Sequence, residues 1–231
     1  MRQPTRTVIV LSLSVLAAGV IFCRTHEREP IYAGKPISHW ITICGQINDP
    51  NRPSSFEALP QFDSNAVPFF VKALEKQDNL FSRAYERKWL ALPPELRSRL
   101  PAPTSAQEAR WKAIRVLMSL GGAAQPALPS LQAAMRHDSS LEVRVTAMLA
   151  VSYIADAETF TTAMCEALND DSPFVRARAL SCLKRRALDA QGAVPALVKC
   201  LADEDWTVRR NATNTLKAIE TANPLGSDRN N

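Results

Sequence analysis

The sequence predicts an all-α protein, a solenoid of about five stacked helical hairpins behind an N-terminal membrane helix. Three observations carry that prediction. Hydrophobic residues make up 46% of the 231 positions, against 22% charged and 6% aromatic, and alanine outnumbers the seven glycines several-fold. That balance belongs to a folded chain, and it suits closely packed helices better than turn-rich sheets or glycine-rich nucleotide sites. The second observation is a motif that recurs every 32 to 33 residues in the second half of the chain. The third is a set of prolines placed near the start of apolar runs at close to twice that spacing.

The chain opens with an uncharged apolar run, Val8 to Phe22, preceded by Arg2 and Arg6 and followed by Arg24, His26, Glu27, Arg28 and Glu29. Its length falls between the core of a signal peptide and the roughly 20 residues of a full span. No Ala-x-Ala precedes a cut, and Cys23 follows Val20, Ile21 and Phe22 instead of the small residues of a lipoprotein signal. Residues 1–23 therefore read as a signal anchor in preference to a cleaved signal peptide. The body is then expected on the extracytoplasmic side, membrane-anchored, or exported or periplasmic if the leader is removed. Residues 24–35 read as a linker.

Of the net charge of +5, the first 35 residues hold five basic groups against two acidic ones. The body is close to balanced, whereas a nucleic-acid protein usually carries its excess on the folded domain, so nucleic acid is not the expected partner. The five cysteines, Cys23, Cys44, Cys165, Cys182 and Cys200, are odd in number and form no CxxC pair. They read as buried free thiols and not as a disulfide framework or zinc knuckle.

The repeat is seen in residues 136–154, 168–186 and 201–219, which share an aspartate, then Val-Arg, then an alanine and further apolar positions. The landmarks are Asp138, Asp170 and Asp203; Val143, Val175 and Val208; Arg144, Arg176 and Arg209; Ala147, Ala179 and Ala212; Val151, Leu183 and Leu216. One step earlier, Ala109, Arg110, Ala113 and Leu117 fill the same slots, with Thr104 in place of the aspartate. Between these segments stand AVPFFVKAL (66–74), ALPSLQAAM (127–135), AVPALVKCL (193–201) and a diverged TFTTAMCEAL (159–168). Proline early in such a run belongs to the first turn of a helix, where its missing N–H leaves no bond unmade. Each unit is thus a hairpin of a helix A, a turn bearing Asp and Ser, and a helix B. Ser172 before Pro173 reads as an N-cap, and Ser139 with Glu142 and Ser105 with Glu108 have capping-box spacing. Positions 208, 212, 216 and 219 share one face of the last helix B and are to be buried against neighbouring hairpins.

The Val-Arg-x-x-Ala segments and the Ala-Val-Pro helix starts resemble the HEAT-repeat family, in the short bacterial form also found in phycobilin lyase-like proteins. The resemblance implies a right-handed α-solenoid of HEAT-like hairpins over residues 36–219. It is strong over 105–219 and weaker over 36–76, where GKPISHWITICGQI and SSFEALPQF resemble a diverged first hairpin and Ala66 to Lys76 open the next. Residues 77–104 read as an insertion and 220–231 as a disordered tail. The insertion has Leu92, Leu96 and Leu100 at four-residue intervals with Trp89 among Arg87, Lys88, Arg97 and Arg99. It suits a cap packed on the solenoid edge, ahead of a partner-binding lip or a membrane-surface patch.

In HEAT arrays the arginine and aspartate rows form a hydrogen-bonded ladder between adjacent turns. The resemblance accordingly assigns Asp138, Arg144, Asp170, Arg176, Asp203 and Arg209 to structure. It also implies that the helix B face opposite the buried one lines a concave surface. There the register collects Lys112, Arg115, Arg178, Lys184, Arg210 and Lys217 and no acidic residue. These six are the candidate partner-binding residues, on a track suited to an acidic protein segment or another polyanion; a solvated face neutralised from neighbouring A helices is the alternative.

Catalytic chemistry finds no footing. The histidines are His26, His39 and His137, none in a nucleophile turn, and there is no phosphate loop, dinucleotide fingerprint or H-E-x-x-H. Asp170-Asp171 and Asp203-Glu204-Asp205 precede helices, where carboxylates cap and complement the dipole. The Asn211-Ala212-Thr213 sequon falls mid-helix. No metal or cofactor is expected. The reading is a non-enzymatic, membrane-anchored scaffold for a protein partner. A lyase-like or other HEAT-fold enzyme, or a membrane-surface module, stands as the alternative.

Overall fold

The computed structural model describes residues 31–32, 35–36, 64–75, 80–97 and 105–223. The chain divides into two units, residues 1–40 and 41–231. In the first, β1 (Ile31–Tyr32) pairs antiparallel with β2 (Lys35–Pro36), Ile31 opposite Pro36. This small pairing occupies part of the stretch expected to be a plain linker. The apolar run Val8 to Phe22, its flanking charges, Cys23, Cys44, His26 and His39, the diverged first hairpin and the tail after Asn223 lie outside the described residues. No helix among the described residues is long and apolar enough to cross a membrane.

The second unit is built of α-helices. They are α1 (Val67–Leu74), α2 (Leu80–Leu90), α3 (Pro94–Arg97), α4 (Ala106–Ser119), α5 (Leu128–His137), α6 (Leu141–Ile154), α7 (Ala157–Ala167), α8 (Pro173–Arg185), α9 (Val194–Cys200) and α10 (Trp206–Ala222). Four hairpins result: α1 with α4, α5 with α6, α7 with α8, and α9 with α10, each pair in contact. The B helices α4, α6, α8 and α10 pack in series, as do the A helices α1, α5 and α7. This is an α-solenoid. The helices α2 and α3 occupy the insertion, where Leu90 and Leu96 are exposed and Leu92 is half-buried.

The local chemistry explains each boundary. Proline stands in the first turn of α1, α5, α8 and α9, where no intrahelical bond is lost. Ser105 caps α4 by accepting from the Glu108 N–H at 3.1 Å, and Asp156 caps α7 through Thr159. Helix α4 ends before Gly121, whose φ of 54° is open to glycine without strain. Two capping expectations are corrected. Helix α6 is capped by Ser140, not Ser139, because Ser140 is the residue with extended backbone next to the helix and its hydroxyl accepts from Val143. Ser172 occupies the N-cap of α8 but its hydroxyl makes no capping bond.

Burial follows position in the stack. Helix α6, flanked by α4 and α8, buries nine of its 14 residues. Terminal α10 buries only Val208, Ala212, Thr215 and Ile219, one stripe facing α8 and α9. The recurrent alanines Ala113, Ala147, Ala179 and Ala212 are wholly buried; a side chain that small lets the helices approach closely. Thr215 is buried with its hydroxyl donating to the Leu180 carbonyl of the preceding helix B at 3.1 Å, so even this polar group is satisfied across repeats. Leu183, also wholly buried, sits between α8 and its neighbours. Leu183→Ala is expected to destabilise the fold by about 2–5 kcal/mol, read as a shift of the urea midpoint.

Candidate functional site

The turns between helices A and B carry the ladder. Arg110 donates from Nε to Asp138 Oδ2 at 2.6 Å and from Nη2 to Oδ1 at 3.1 Å. Arg144 does the same to Asp170, at 3.1 and 3.2 Å, and Arg176 to Asp203, at 2.8 Å for both. Each bidentate pair therefore joins one repeat to the turn of the next. Within its own repeat the arginine uses Nη1 on the loop backbone: Arg144 on the Asp138 carbonyl, Arg176 on that of Asp170, and Arg209 on that of Asp203. The constant offset of six residues is thus a backbone contact, and the carboxylate contact skips to the following repeat. Each aspartate also accepts from the N–H two residues on, at Ser140, Ser172 and Asp205.

The Arg176 hydrogen bonds hold the Asp203 carboxyl below the usual carboxylate range, and Asp203 in turn raises Arg176. The rest of the acidic run divides its labour. Asp205 caps α10 by accepting from Thr207 and Val208, Glu204 is exposed, and Asp171 is exposed beside Asp170. The thiols of Cys182 and Cys200 are buried and Cys165 is half-buried; burial pushes all three up in pKa, away from thiolate chemistry. His137 is the last residue of α5. No cluster of His, Cys, Asp or Glu able to hold a metal ion occurs among the described residues.

The six candidate residues of the helix B face fare differently. Lys112 is mostly covered and its ammonium lies 2.7 Å from Glu108, one turn back, so it is spent within its own helix. Arg115, Arg178 and Arg210 each lie over an aromatic ring of their own helix, one turn earlier: Trp111 at 4.7 Å, Phe174 at 5.5 Å and Trp206 at 4.6 Å. Lys184 and Lys217 are exposed. None of these five has a carboxylate within ion-pair distance among the described residues. Two of the rings are themselves open, Phe174 at 51% and Trp206 at 59%, while Trp111 is half-buried. An arginine plane stacked on a ring keeps its edge donors available, at a gain of about 0.5–1 kcal/mol for the stack.

Two arginines were missed by sequence reasoning. Arg185 lies 4.7 Å over the exposed Tyr153 ring and donates to the Ser152 hydroxyl at 2.6 Å, both on the preceding helix B. Arg186 donates to the Ser152 and Ala155 carbonyls at the end of α6 and rests 4.2 Å from the Phe160 ring. A cation there satisfies carbonyls that the helix itself leaves open. Arg186 also pairs with Asp189, three residues on, at 2.7 Å, but the contacts of both arginines to α6 and Phe160 reach more than 25 residues back in sequence, where no local spacing points. A wide groove of about 680 Å³ beside α7, bounded by Glu158, Cys165, Glu166 and Asp189 among others, contains none of the cations just described.

Stacked two-helix units tied by an Arg-Asp exchange define a helical-repeat protein of the solenoid type. Residues 161–225 match the family model described as HEAT repeats. No curated protein matches the chain. Among solved structures it is similar to a designed armadillo repeat protein in complex with the peptide (KR)4, at 18% identity and a TM-score of 0.39, covering 78% of this chain and 99% of that one. A second designed armadillo repeat protein is similar at 16% identity and a TM-score of 0.36, with 78% and 99% covered.

The depressed Asp203 pKa gives the ladder a pH signature. A carboxylate held below its unfolded value of about 3.9 contributes stability that is present above that pH and is lost as pH falls through the folded value. Asp203→Asn is expected to lower the melting temperature at pH 7 and to flatten the loss of stability below about pH 4, both read from thermal melts across pH.

Proposed function

We propose that this protein is a non-enzymatic interaction scaffold that binds an acidic segment of a protein partner along the concave face of the solenoid, on the sides of helices α4, α8 and α10 opposite their buried stripes. One contrast carries the reading. The ladder arginines Arg110, Arg144 and Arg176 are each spent on a carboxylate of the next repeat, while Arg115, Arg178, Lys184, Arg210 and Lys217 have none among the described residues. Guanidinium groups already stacked on Trp111, Phe174 and Trp206 lose little further freedom on binding, which favours them as anchors. Exposed rings beside cations suit a segment that mixes Asp or Glu with apolar side chains. On the same proposal, residues 1–23 tether the body to a membrane on its extracytoplasmic side, a point that fusion reporters on either side of the run would decide.

The test is titration of a fluorescent octapeptide of alternating Asp and Leu with the full chain. Binding is expected to weaken with rising salt, and to drop about tenfold in the triple variant Arg178→Ser, Lys184→Ser and Lys217→Ser with an unchanged melting curve. Equal binding by the triple variant, or equal binding of a Lys-Leu peptide, would refute the reading.

A further inference from the structure

The ladder has an end. Arg209 repeats the first half of the arrangement seen inside the stack, its Nη1 donating to the carbonyls of Asp203 at 2.7 Å and Glu204 at 2.8 Å. Arg144 and Arg176 are held by the same kind of backbone contact, and both turn Nε and Nη2 toward the two oxygens of the next aspartate. Nε and Nη2 of Arg209 meet no acceptor among the described residues, and the side chain is exposed. Anchored at one nitrogen, the guanidinium presents a fork whose ligand is read from three occupied copies in the same molecule: a carboxylate.

A second observation lies beside it. Leu168 stands two residues before Asp170 and is 5% exposed, while Leu201, two residues before Asp203 and just past α9, is 42% exposed, with Val198 of α9 also exposed. Along helix B the edge is closed. The position four residues after the arginine is Ile114, Met148 and Leu180 inside the stack, all wholly buried, but exposed Thr213 at the end. The edge therefore keeps the turn half of a repeat contact and has lost the helix half. It fits a short segment, not another hairpin.

We propose that this edge binds an aspartate-bearing segment of a partner protein, the carboxylate seated in the Arg209 fork and an adjacent apolar side chain covering Leu201 and Val198. Among the described residues no carboxylate meets Nε or Nη2 of Arg209. The favoured ligand resembles the internal ones, whose aspartate also accepts from the N–H two residues on, so the segment is an Asp-x-Ser-like turn and not an extended acidic run.

The probe is a labelled nonapeptide copying residues 166–174, titrated with the full chain. Saturable binding is expected. It should weaken about tenfold when the peptide's residue equivalent to Asp170 is Asn, and about tenfold in Arg209→Gln. Arg209→Lys, which keeps the charge but not the fork, should weaken it as well. The triple variant of the helix B face should leave it unchanged, which separates this site from the face proposed above. Binding indifferent to the Asn substitution, full retention in Arg209→Gln or Arg209→Lys, or loss only in the triple variant would overturn the proposal.

Discussion

Each hairpin of this solenoid is set against the next by one repeated exchange at the turns, in which an arginine grips the loop backbone of its own repeat and the aspartate of the one that follows. The planar guanidinium has enough donors to serve both. Arg176 shows the full arrangement: two bonds to the Asp203 carboxylate, and contacts to the Asp170 and Asp171 carbonyls. The aspartate is equally saturated, since it also receives the N–H that starts the following helix. A mostly covered ion pair is a poor source of net stability, because desolvation offsets most of the attraction. Its effect here is on register: a hairpin shifted by one helical turn would strand an arginine and a carboxylate away from water.

Stability comes from the apolar sides. Ile114, Leu117, Met148, Val151, Leu180 and Leu183 are wholly buried on successive B helices, and Leu131, Phe160, Met164 and Leu197 on the A helices. Because each hairpin covers its neighbours and no distant partner, the core is a band that repeats and not a centre. That explains why α6 is apolar around most of its surface and α10 on one stripe only. The same geometry leaves solvent-facing sides on α4, α8 and α10, where arginine can be used differently; the matching positions of α6, Val145, Thr146 and Ser152, are buried. In the turns it is buried and spent; on the face it lies on aromatic rings with its edge in water.

Most of the repeat was legible because it is local. The Asp, Val-Arg and Ala landmarks share a constant period, and a helix with an apolar stripe and a proline in its first turn announces itself within ten residues. The ladder partners were only half legible. Asp138 and Arg144 recur together in sequence, but the carboxylate of Asp138 belongs to Arg110, 28 residues earlier. Ser139 carried the capping spacing, and Ser140 the capping geometry. Lys112 sat in the right register for the outer face, and Glu108 one turn away took its charge. Of Arg186 only the pairing with Asp189, three residues on, was local; what Arg185 and Arg186 hold on α6 lies across a repeat boundary and left no signal.

The sequence alone determined the helical hairpins, their period, the buried alanine and leucine stripes and the outward register of the basic residues, because each of these depends on spacing within one or two turns. The tertiary structure alone decided which carboxylate each arginine holds, which cations keep an open edge, and where the stack stops burying its turns. Those outcomes depend on which residue of the next repeat comes within hydrogen-bond reach, and stacking, not local propensity, sets that distance.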